Sequence, residues 1–184
     1  MTKIKFREEC FKKIQGIKDY EYYNRSAKVN NKILKELKGK KNKRILFYYP
    51  LPMEINIKRS LNILRKNNQI YIPFMEGESF KMVPFRLPLT RKKFGISEAG
   101  NSLRNINKID IAIVPTVGVD KNLQRIGFGK GMYDRFFETL KNKPYIIFIQ
   151  SEFCYTKSMI CDSYDISCDL LLTPKKRVIN KRKY

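Results

Sequence analysis

The beginning of the chain mixes apolar and charged positions in a helical pattern. Residues 2–14 carry apolar side chains among charges, which predicts an amphipathic helix. A second helix is predicted to start with Asp19 as its cap and to run to Leu37, with Gly39 ending it. The basic stretch from Lys38 to Arg44 is predicted to be a loop.

After this loop the pattern changes to short apolar runs, which are typical of buried strands. Strands are predicted at Ile45–Tyr49, Ile70–Pro73, Ile109–Val114, Tyr145–Ile149 and Leu170–Thr173, with a further strand near Lys81–Phe85. Helices are predicted at Glu54–Arg65 and Arg135–Leu140, and the remainder of residues 74–108 is expected to be irregular.

Strands that alternate with helices predict an α/β fold with a mainly parallel sheet flanked by helices, in an open Rossmann-like three-layer arrangement. A chain of 184 residues fits one domain, which we assign to residues 1–174. The tail from Lys175 to Tyr184 holds six Lys or Arg residues and is expected to be mobile. In such folds, ligands bind outside the carboxyl ends of the strands.

Composition narrows the possible classes of protein. No apolar run approaches the roughly 20 residues needed to span a bilayer, and no apolar signal core follows the basic start, so we expect a cytoplasmic protein without membrane contact.

Cysteines stand at positions Cys10, Cys154, Cys161 and Cys168. We expect all of them to be thiols, because disulfide frameworks are rare in cytosolic chains of this length. The chain has no histidine, which excludes Ser-His-Asp triads, Cys-His pairs and histidine-ligated metals.

The formal net charge of +22 has several interpretations. It could reflect nucleic-acid binding, a site for anionic small molecules, or lysines spread over a solvated surface. Lys and Asn recur together throughout the chain, which favours the last interpretation, although charge alone does not decide. A nucleic-acid-binding protein therefore remains a rival hypothesis, and it predicts basic residues clustered with aromatic ones on one face.

A glycine-rich segment between a predicted strand and a predicted helix carries the most distinctive chemistry. Glycines at alternate positions from Gly127 to Gly131 let backbone amides approach an anion closely. Arg125 and Lys130 add positive charge, and the following helix adds its dipole, so the segment suits phosphate. Asp134 could be a helix cap or a magnesium ligand. Arg125 could alternatively pair with a carboxylate.

The segment as a whole resembles the signature of the 5-formyltetrahydrofolate cyclo-ligase family. The similar residues run Val114-Pro115, Val119-Asp120 and Arg125-Ile126-Gly127-Phe128-Gly129-Lys130-Gly131-Met132-Tyr133-Asp134-Arg135. Further similar pieces, in the family's order, are Lys3-Ile4-Lys5-Phe6-Arg7, Pro52-Met53-Glu54-Ile55, Phe94-Gly95-Ile96-Ser97-Glu98 and Asp165-Ile166-Ser167-Cys168-Asp169-Leu170-Leu171-Leu172-Thr173. The resemblance spans roughly residues 3–174. Met132 departs from it, since a tyrosine is usual at that position.

The resemblance implies a role for each group of residues. ATP would be bound by Lys3, Ile4, Lys5, Phe6, Arg7, Arg125, Ile126, Gly127, Phe128, Gly129, Lys130, Gly131, Met132 and Tyr133. The folate would be bound by Tyr49, Glu54, Phe128, Gly129, Lys130, Gly131 and Met132. Asp134 and Asp169 would hold Mg²⁺, and Arg125, Lys130 and Tyr133 would act in catalysis.

Several of these residues also have plainer interpretations. Lys3 and Arg7 lie one helical turn apart and could form a solvated face. Glu54 could be a first-turn carboxylate favoured by the helix dipole. Tyr49 could be a core aromatic residue, and Asp169 could cap a turn before the last strand.

The implied reaction converts 5-formyltetrahydrofolate and ATP to 5,10-methenyltetrahydrofolate, ADP and phosphate, through a phosphorylated formyl group. Such chemistry depends on alignment and on neutralising charge, so it does not need histidine. We expect ATP and the folate, with or without a polyglutamate tail, as partners of a monomer that has no obligatory nucleic acid. Another ATP-dependent ligase or kinase of similar fold is a second rival.

Overall fold

The chain folds around a seven-stranded sheet whose strand order is β11-β10-β9-β6-β1-β2-β3. The computed structural model describes residues 1–91, 97–102, 106 and 108–181. Helices are α1 (Lys3–Gln15), α2 (Asp19–Glu36), α3 (Lys58–Leu64) and α4 (Met132–Glu138). The strands of the large sheet are β1 (Arg44–Leu46), β2 (Gln69–Glu76), β3 (Ser79–Pro84), β6 (Ile111–Pro115), β9 (Tyr145–Ile149), β10 (Leu170–Leu172) and β11 (Arg177–Ile179). The short strands are β4 (Thr90–Arg91), β5 (Ser97–Glu98), β7 (Gly118–Val119) and β8 (Arg125–Ile126).

The central strands of the sheet are parallel and its two edges are antiparallel. Strands β2, β1, β6, β9 and β10 run parallel to one another, while β3 and β11 close the edges in the opposite direction. The predicted α/β fold with a mainly parallel sheet is confirmed. The strand order reverses between β1 and β6, and such a reversal opens a crevice at the carboxyl ends of those two strands.

Alternate side chains of each strand supply two separate hydrophobic cores. One core joins Ile45, Ile113 and Ile147 to α2 and α3. The core on the other face joins Leu46, Ala112 and Phe148 to Phe136 and Phe137 of α4. Because neighbouring strand residues point to opposite faces, both faces of the sheet are covered, which explains why the strands are apolar throughout.

The predicted helix at Glu54–Arg65 begins only at Lys58. The carbonyl oxygens of residues 54–56 accept hydrogen bonds from side chains elsewhere in the chain and not from helical amides. The Tyr22 hydroxyl donates to Glu54, the Tyr48 hydroxyl donates to Ile55 at 2.8 Å, and the Asn30 amide donates to Asn56 at 2.7 Å. The chain therefore turns before α3, and Glu54 is not a first-turn carboxylate.

Three other expectations need correction. The cap of α2 is Lys18, and Asp19 is the first helical residue. Residues 74–80 are not wholly irregular, because β2 continues to Glu76, β3 begins at Ser79, and the two pair in a hairpin. The strand predicted near Lys81–Phe85 is confirmed as the rest of β3. Within the predicted tail, Arg177–Ile179 forms the edge strand β11 on β10, so a mobile tail is wrong for these residues.

The cysteines also differ from the expected set of thiols. Cys10 of α1 and Cys154, which follows β9, form a disulfide with Cα atoms 5.9 Å apart. Cys161 and Cys168 are free thiols, as expected. The bond links segments 144 residues apart, and nothing in the spacing of the cysteines indicates that they meet. Among the described residues, no helix has the length and apolar character needed to cross a membrane.

Candidate functional site

The segment that follows β6 forms the wall of a cleft at the carboxyl end of the sheet. The Thr116 hydroxyl lies 2.9 Å from the carbonyl oxygen of Gly118 and 3.1 Å from that of Ile126, which draws β7 and β8 together. Asp120 accepts hydrogen bonds from the amides of Asn122 and Gln124 at 2.8 and 3.0 Å. This turn therefore fixes the start of β8, where Arg125 lies.

Arg125 is buried and joins three parts of the site. Its Nε donates to the carbonyl oxygen of Pro115 at 3.1 Å, and its Nη1 lies 3.2 Å from the Asp134 carboxylate. Its guanidinium lies 4.9 Å from the centroid of the Tyr133 ring. The alternative in which Arg125 pairs with a carboxylate is thus observed, and the same side chain also lines the cleft.

The glycines give the segment its close packing and its turns. A Cβ atom on Gly127 would lie 2.6 Å from Cζ of Arg125, so a side chain at this position would require the buried guanidinium to move. Gly129 and Gly131 have φ angles of +108° and +59°, which L side chains rarely adopt. Gly131 is the N-cap of α4, so Asp134 lies inside the first helical turn and is not the cap.

Helix α1 brings two cations to the opposite wall. Arg7 donates from Nε to the carbonyl oxygen of Gly127 at 2.9 Å, which fixes the helix against the glycine segment. The Lys3 ammonium forms ion pairs with Asp165 and Asp162. Burial lowers the pKa of Lys3, but the hydrogen bonds with Asp165 and Asp162 outweigh burial and leave that pKa raised. Neither cation therefore belongs to a simply solvated face.

These walls enclose a cleft that most of the predicted phosphate-binding residues line. The predicted residues along it are Lys3, Ile4, Arg7, Arg125, Gly127, Gly129, Lys130, Gly131 and Asp134. Phe6 instead packs in the core with Cys10, and Lys5 is exposed and is not among the lining residues. Ile126 is buried in the same core as Phe6. The cleft combines cations with glycine backbone, as an anion site requires.

Two of the predicted folate residues, Glu54 and Phe128, lie on the inner side of the glycine segment, whereas Gly129, Lys130 and Gly131 line the cleft itself. Glu54, Tyr48, Pro115 and Phe128 line a narrow internal cavity at the carboxyl ends of β1, β6 and β9. Glu54 is only 6% exposed, and its Oε2 accepts a hydrogen bond from the Leu51 amide at 2.9 Å. Burial raises the pKa of Glu54 to about 7, although the Leu51 amide and Arg125 lower it in part.

Tyr133 and Tyr49 flank this region in different ways. Burial raises the pKa of Tyr133, and the neighbouring charge of Glu54 raises it further. Tyr49 is half-buried and stacks on Phe85 with ring centroids 6.5 Å apart, and the Lys58 ammonium lies 4.5 Å from the centroid of its ring. Met132 packs against the core beneath α4. Of the Phe94–Glu98 piece, residues 94–96 lie outside the described part of the chain.

The two predicted metal ligands do not lie together along the cleft. Asp134 lines it, with Oδ1 accepting a hydrogen bond from the Ile166 amide at 3.3 Å. Asp169 lies at the amino end of β10, where its Oδ2 accepts a hydrogen bond from the Ile146 amide at 2.7 Å, and it is not among the residues lining the cleft. The structure places Asp165 beside the cleft instead.

Sequence reasoning assigned no role to the loop that carries Asp162, Tyr164 and Asp165, although all three line the cleft. The available signal was the position of Asp165, which begins the Asp-x-x-x-Asp piece that ends at Asp169. Within the described residues, no group of three or more His, Cys, Asp or Glu side chains could hold a metal by itself. A magnesium ion with one or two carboxylates and the oxygens of a bound phosphate would fit this arrangement.

Comparisons with known proteins agree on one family. The sequence profile described as the 5-formyltetrahydrofolate cyclo-ligase family matches residues 1–174. The chain is 27% identical to the 5-formyltetrahydrofolate cyclo-ligase of Mycoplasma pneumoniae over 173 residues, which cover 94% of this chain and 98% of the relative. It is 28% identical to the enzyme of the same name from Haemophilus influenzae over 127 residues, which cover 64% of this chain and 68% of the relative.

Solved structures show the same likeness. The NMR structure of Aquifex aeolicus 5,10-methenyltetrahydrofolate synthetase superposes with a TM-score of 0.80 at 27% identity, covering 98% of this chain and 94% of that protein. A 5,10-methenyltetrahydrofolate synthetase from Mycoplasma pneumoniae gives a TM-score of 0.73 at 23% identity, covering 95% of this chain and all 100% of that protein. The second likeness supports the fold alone.

Proposed function

Since this chain belongs to the 5-formyltetrahydrofolate cyclo-ligase family, we propose that it converts 5-formyltetrahydrofolate and ATP to 5,10-methenyltetrahydrofolate, ADP and phosphate. The observation that carries the ATP dependence is the cleft in which Lys3, Arg7 and Lys130 meet the glycine segment. Phosphate oxygens suit such a lining, because cations and close backbone amides both stabilise negative charge.

In the proposed reaction the formyl oxygen attacks the γ-phosphorus of ATP, and ADP leaves. The resulting imidate phosphate carries a good leaving group, so the neighbouring folate nitrogen can attack the activated carbon and expel phosphate. The protein aligns the two substrates and neutralises the charge that moves between them. Lys130 and Arg7 are suited to the phosphate side of this transfer.

Arg125 and Glu54 are suited to connecting the phosphate cleft, which Arg125 lines, with the internal cavity, which Glu54 lines. Arg125 holds Asp134 at the nucleotide cleft and lies against Tyr133. Tyr133 and Arg125 both interact electrostatically with Glu54, which lines the internal cavity. Glu54 has two oxygens that can accept hydrogen bonds from a pterin ring. The substrate carbonyl and the γ-phosphate would therefore meet near the glycine segment.

Mg²⁺ would neutralise phosphate charge when bound, and Asp134 is suited to hold it from the first turn of α4. We propose Asp165 as its companion, because both carboxylates line the cleft, while the role predicted for Asp169 stays a prediction. Measuring turnover at increasing magnesium concentrations tests which of these carboxylates bind the metal. Asp134→Asn and Asp165→Asn should each raise the magnesium concentration needed for half-maximal rate, and Asp169→Asn should not. The opposite pattern would restore Asp169 as the ligand.

The proposed function is tested by mixing the purified protein with Mg-ATP and 5-formyltetrahydrofolate and recording the near-ultraviolet band of the methenyl product. Lys130→Ala should slow turnover about a hundredfold, the scale of losing one main electrostatic group. Lys66→Ala is the matched control, because Lys66 is exposed just before β2, at the amino ends of the strands. No product band in the wild type would refute the proposal.

We also propose that the partners are the small-molecule substrates alone, that the protein is a monomer, and that it acts in the cytoplasm. Size-exclusion chromatography with light scattering tests the oligomeric state. Binding to duplex DNA at low and moderate salt tests the nucleic-acid rival, which predicts a steep salt dependence.

A further inference from the structure

Helix α1 is joined to the rest of the protein by a covalent bond close to the phosphate cleft. Cys10 of α1 is bonded to Cys154, and both side chains are buried. Lys3 and Arg7 of the same helix line the cleft, and Arg7 lies less than one helical turn before Cys10. Since α1 is one continuous helix from Lys3 to Gln15, a displacement at Cys10 also displaces these two cations.

The segment that carries Cys154 is fixed by hydrogen bonds of its own. The Cys154 amide donates to Oε1 of Gln150 at 3.3 Å, and Nε2 of Gln150 donates to the Cys154 carbonyl oxygen at 3.0 Å. The amide of Val119 in β7 donates to the same carbonyl oxygen at 3.0 Å. These hydrogen bonds do not depend on the disulfide, so α1 is the partner that is free to move when the disulfide breaks.

The contact between α1 and β7 leaves little room around the disulfide. A Cβ atom on Gly118 would lie 2.9 Å from Cε1 of Phe6 and 3.1 Å from Sγ of Cys10. Two thiols need more space than one disulfide, because sulfur atoms that are no longer bonded separate to van der Waals contact. In a close-packed interior such a change displaces the packed element. Reduction is therefore expected to displace α1, and with it Lys3 and Arg7.

The compartment proposed for this protein gives the bond a role other than that of a permanent cross-link. Thiols are kept reduced in the cytoplasm, and disulfides that form there are usually transient and either catalytic or redox-sensing. Neither Cys10 nor Cys154 is among the described residues that line the cleft or the internal cavity, which favours sensing over catalysis. Cys161 packs against the same core, but burial raises its pKa, so it holds little of the reactive thiolate. Reduction of the bond therefore requires an external dithiol.

We propose that the Cys10–Cys154 bond is a redox switch that controls how tightly the cleft binds Mg-ATP. A thiolate of an external dithiol attacks one sulfur of the bond to give a mixed disulfide, and the second thiol of the dithiol then displaces the cysteine. Two electrons and two protons pass to the protein, which gains two thiols, and the dithiol becomes a disulfide. The oxidised protein, with Lys3 and Arg7 held at the cleft, is the form that binds Mg-ATP tightly. This inference rests on the proposed function, because it requires Mg-ATP to occupy that cleft.

Calorimetric titration with Mg-ATP, before and after treatment with dithiothreitol, tests the inference without requiring turnover. Reduction should raise the Kd for Mg-ATP about tenfold, within the usual range for coupling between two sites. Cys10→Ala should bind weakly with or without the dithiol. Cys161→Ala is the matched control, because it removes a free thiol beside the same core and keeps the disulfide, so it should respond as the wild type does. The titrations are made at a temperature at which circular dichroism shows that the reduced protein is folded.

Coupling between two sites acts in both directions, which supplies a test that a purely structural bond would fail. In mixtures of reduced and oxidised dithiothreitol, saturating Mg-ATP should shift the equilibrium of the protein toward the disulfide by the same factor of about ten. Counting the free thiols after acid quenching measures that shift. An equilibrium that does not respond to Mg-ATP would contradict the inference.

Three further results would overturn the inference. An unchanged Kd after reduction would mean that the bond does not influence the cleft. A response of Cys10→Ala to the dithiol as large as that of the wild type would assign the effect to another group. A reduced protein that is unfolded at every temperature would mean that the bond serves folding and is not a switch. Since ring closure is assayed separately, a protein whose Mg-ATP binding responds to the dithiol but that forms no methenyl product would refute the proposed function and leave the switch standing.

Discussion

Replacing Glu54 with glutamine should change how the stability of the protein depends on pH. Burial raises the pKa of this carboxyl from its ordinary 4.5 to about 7 in the folded protein. At 1.36 kcal/mol per pKa unit, that difference corresponds to about 3 kcal/mol. The residue is almost wholly buried, so solvent screening does little to reduce this energy.

The direction in which the free energy of unfolding changes with pH depends on whether the folded or the unfolded chain holds the proton of Glu54. Below about pH 4.5, Glu54 is protonated in both the folded and the unfolded chain, and it places no charge in the interior. Between about pH 5 and pH 7 the folded protein keeps the proton that the unfolded chain has lost, so the free energy of unfolding falls as pH rises. Above about pH 7 the buried carboxylate is charged and the full cost of about 3 kcal/mol is present.

Glutamine removes the titration but keeps an oxygen that can accept the hydrogen bond from Leu51. The free energy of unfolding of Glu54→Gln, minus that of the wild type, should therefore increase by up to about 3 kcal/mol between about pH 5 and pH 8. Urea unfolding followed by circular dichroism at several pH values measures this difference, and other titrating groups cancel in it. Gln15→Ala, at an exposed position of α1, removes no titrating group, so it is the control and should give a flat difference. A flat difference for Glu54→Gln as well would refute the reasoning.

Two further predictions follow from the packing around the cleft. Gly127→Ala should cut turnover at least about a hundredfold, because the new Cβ would displace the guanidinium of Arg125, a main electrostatic group of the site. Gly100→Ala, which meets no atom within 4 Å, should keep full activity in the same assay, and an active Gly127→Ala would contradict this account. Reduction of the Cys10–Cys154 bond should lower the free energy of unfolding by up to about 5 kcal/mol, the chain-entropy value for a loop of this length. Urea unfolding with and without dithiothreitol measures it, Cys10→Ala should not respond to the reductant, and an unresponsive wild type would show that the bond is absent in solution.

The central strands could be predicted from sequence because burial on both faces leaves a continuous apolar run. Tyr145–Ile149 has the predicted bounds in the structure. β11 could not be predicted in this way, since Arg177–Ile179 is an edge strand that exposes Arg177 and Ile179 to solvent. The turn before α3 could not be predicted either, because its carbonyl oxygens accept hydrogen bonds from Tyr22 and Asn30, which lie more than 20 positions away in the chain.

In the candidate site, too, features set by local sequence could be predicted, and features set by contacts between distant residues could not. Local spacing was enough to single out the glycine segment, since its backbone conformation is a local property. The ion pairs of Lys3 with Asp162 and Asp165 depend on contacts across about 160 residues, which local spacing does not encode. The magnesium role of Asp169 was implied by the family resemblance and stays a prediction. The different surroundings of Asp165, only four positions away, likewise depend on the fold and not on local spacing.

The strand β11 lies beyond residue 174, where the match to the family profile ends, yet it hydrogen-bonds along the whole of β10. A protein shortened to residue 174 would keep every side chain of the candidate site and would still present a bare row of amide and carbonyl groups along Leu170–Leu172. Unprotected strand edges of apolar sequence recruit other chains. The shortened protein is therefore expected to self-associate, and an expression plasmid should encode the chain through its C-terminal residues.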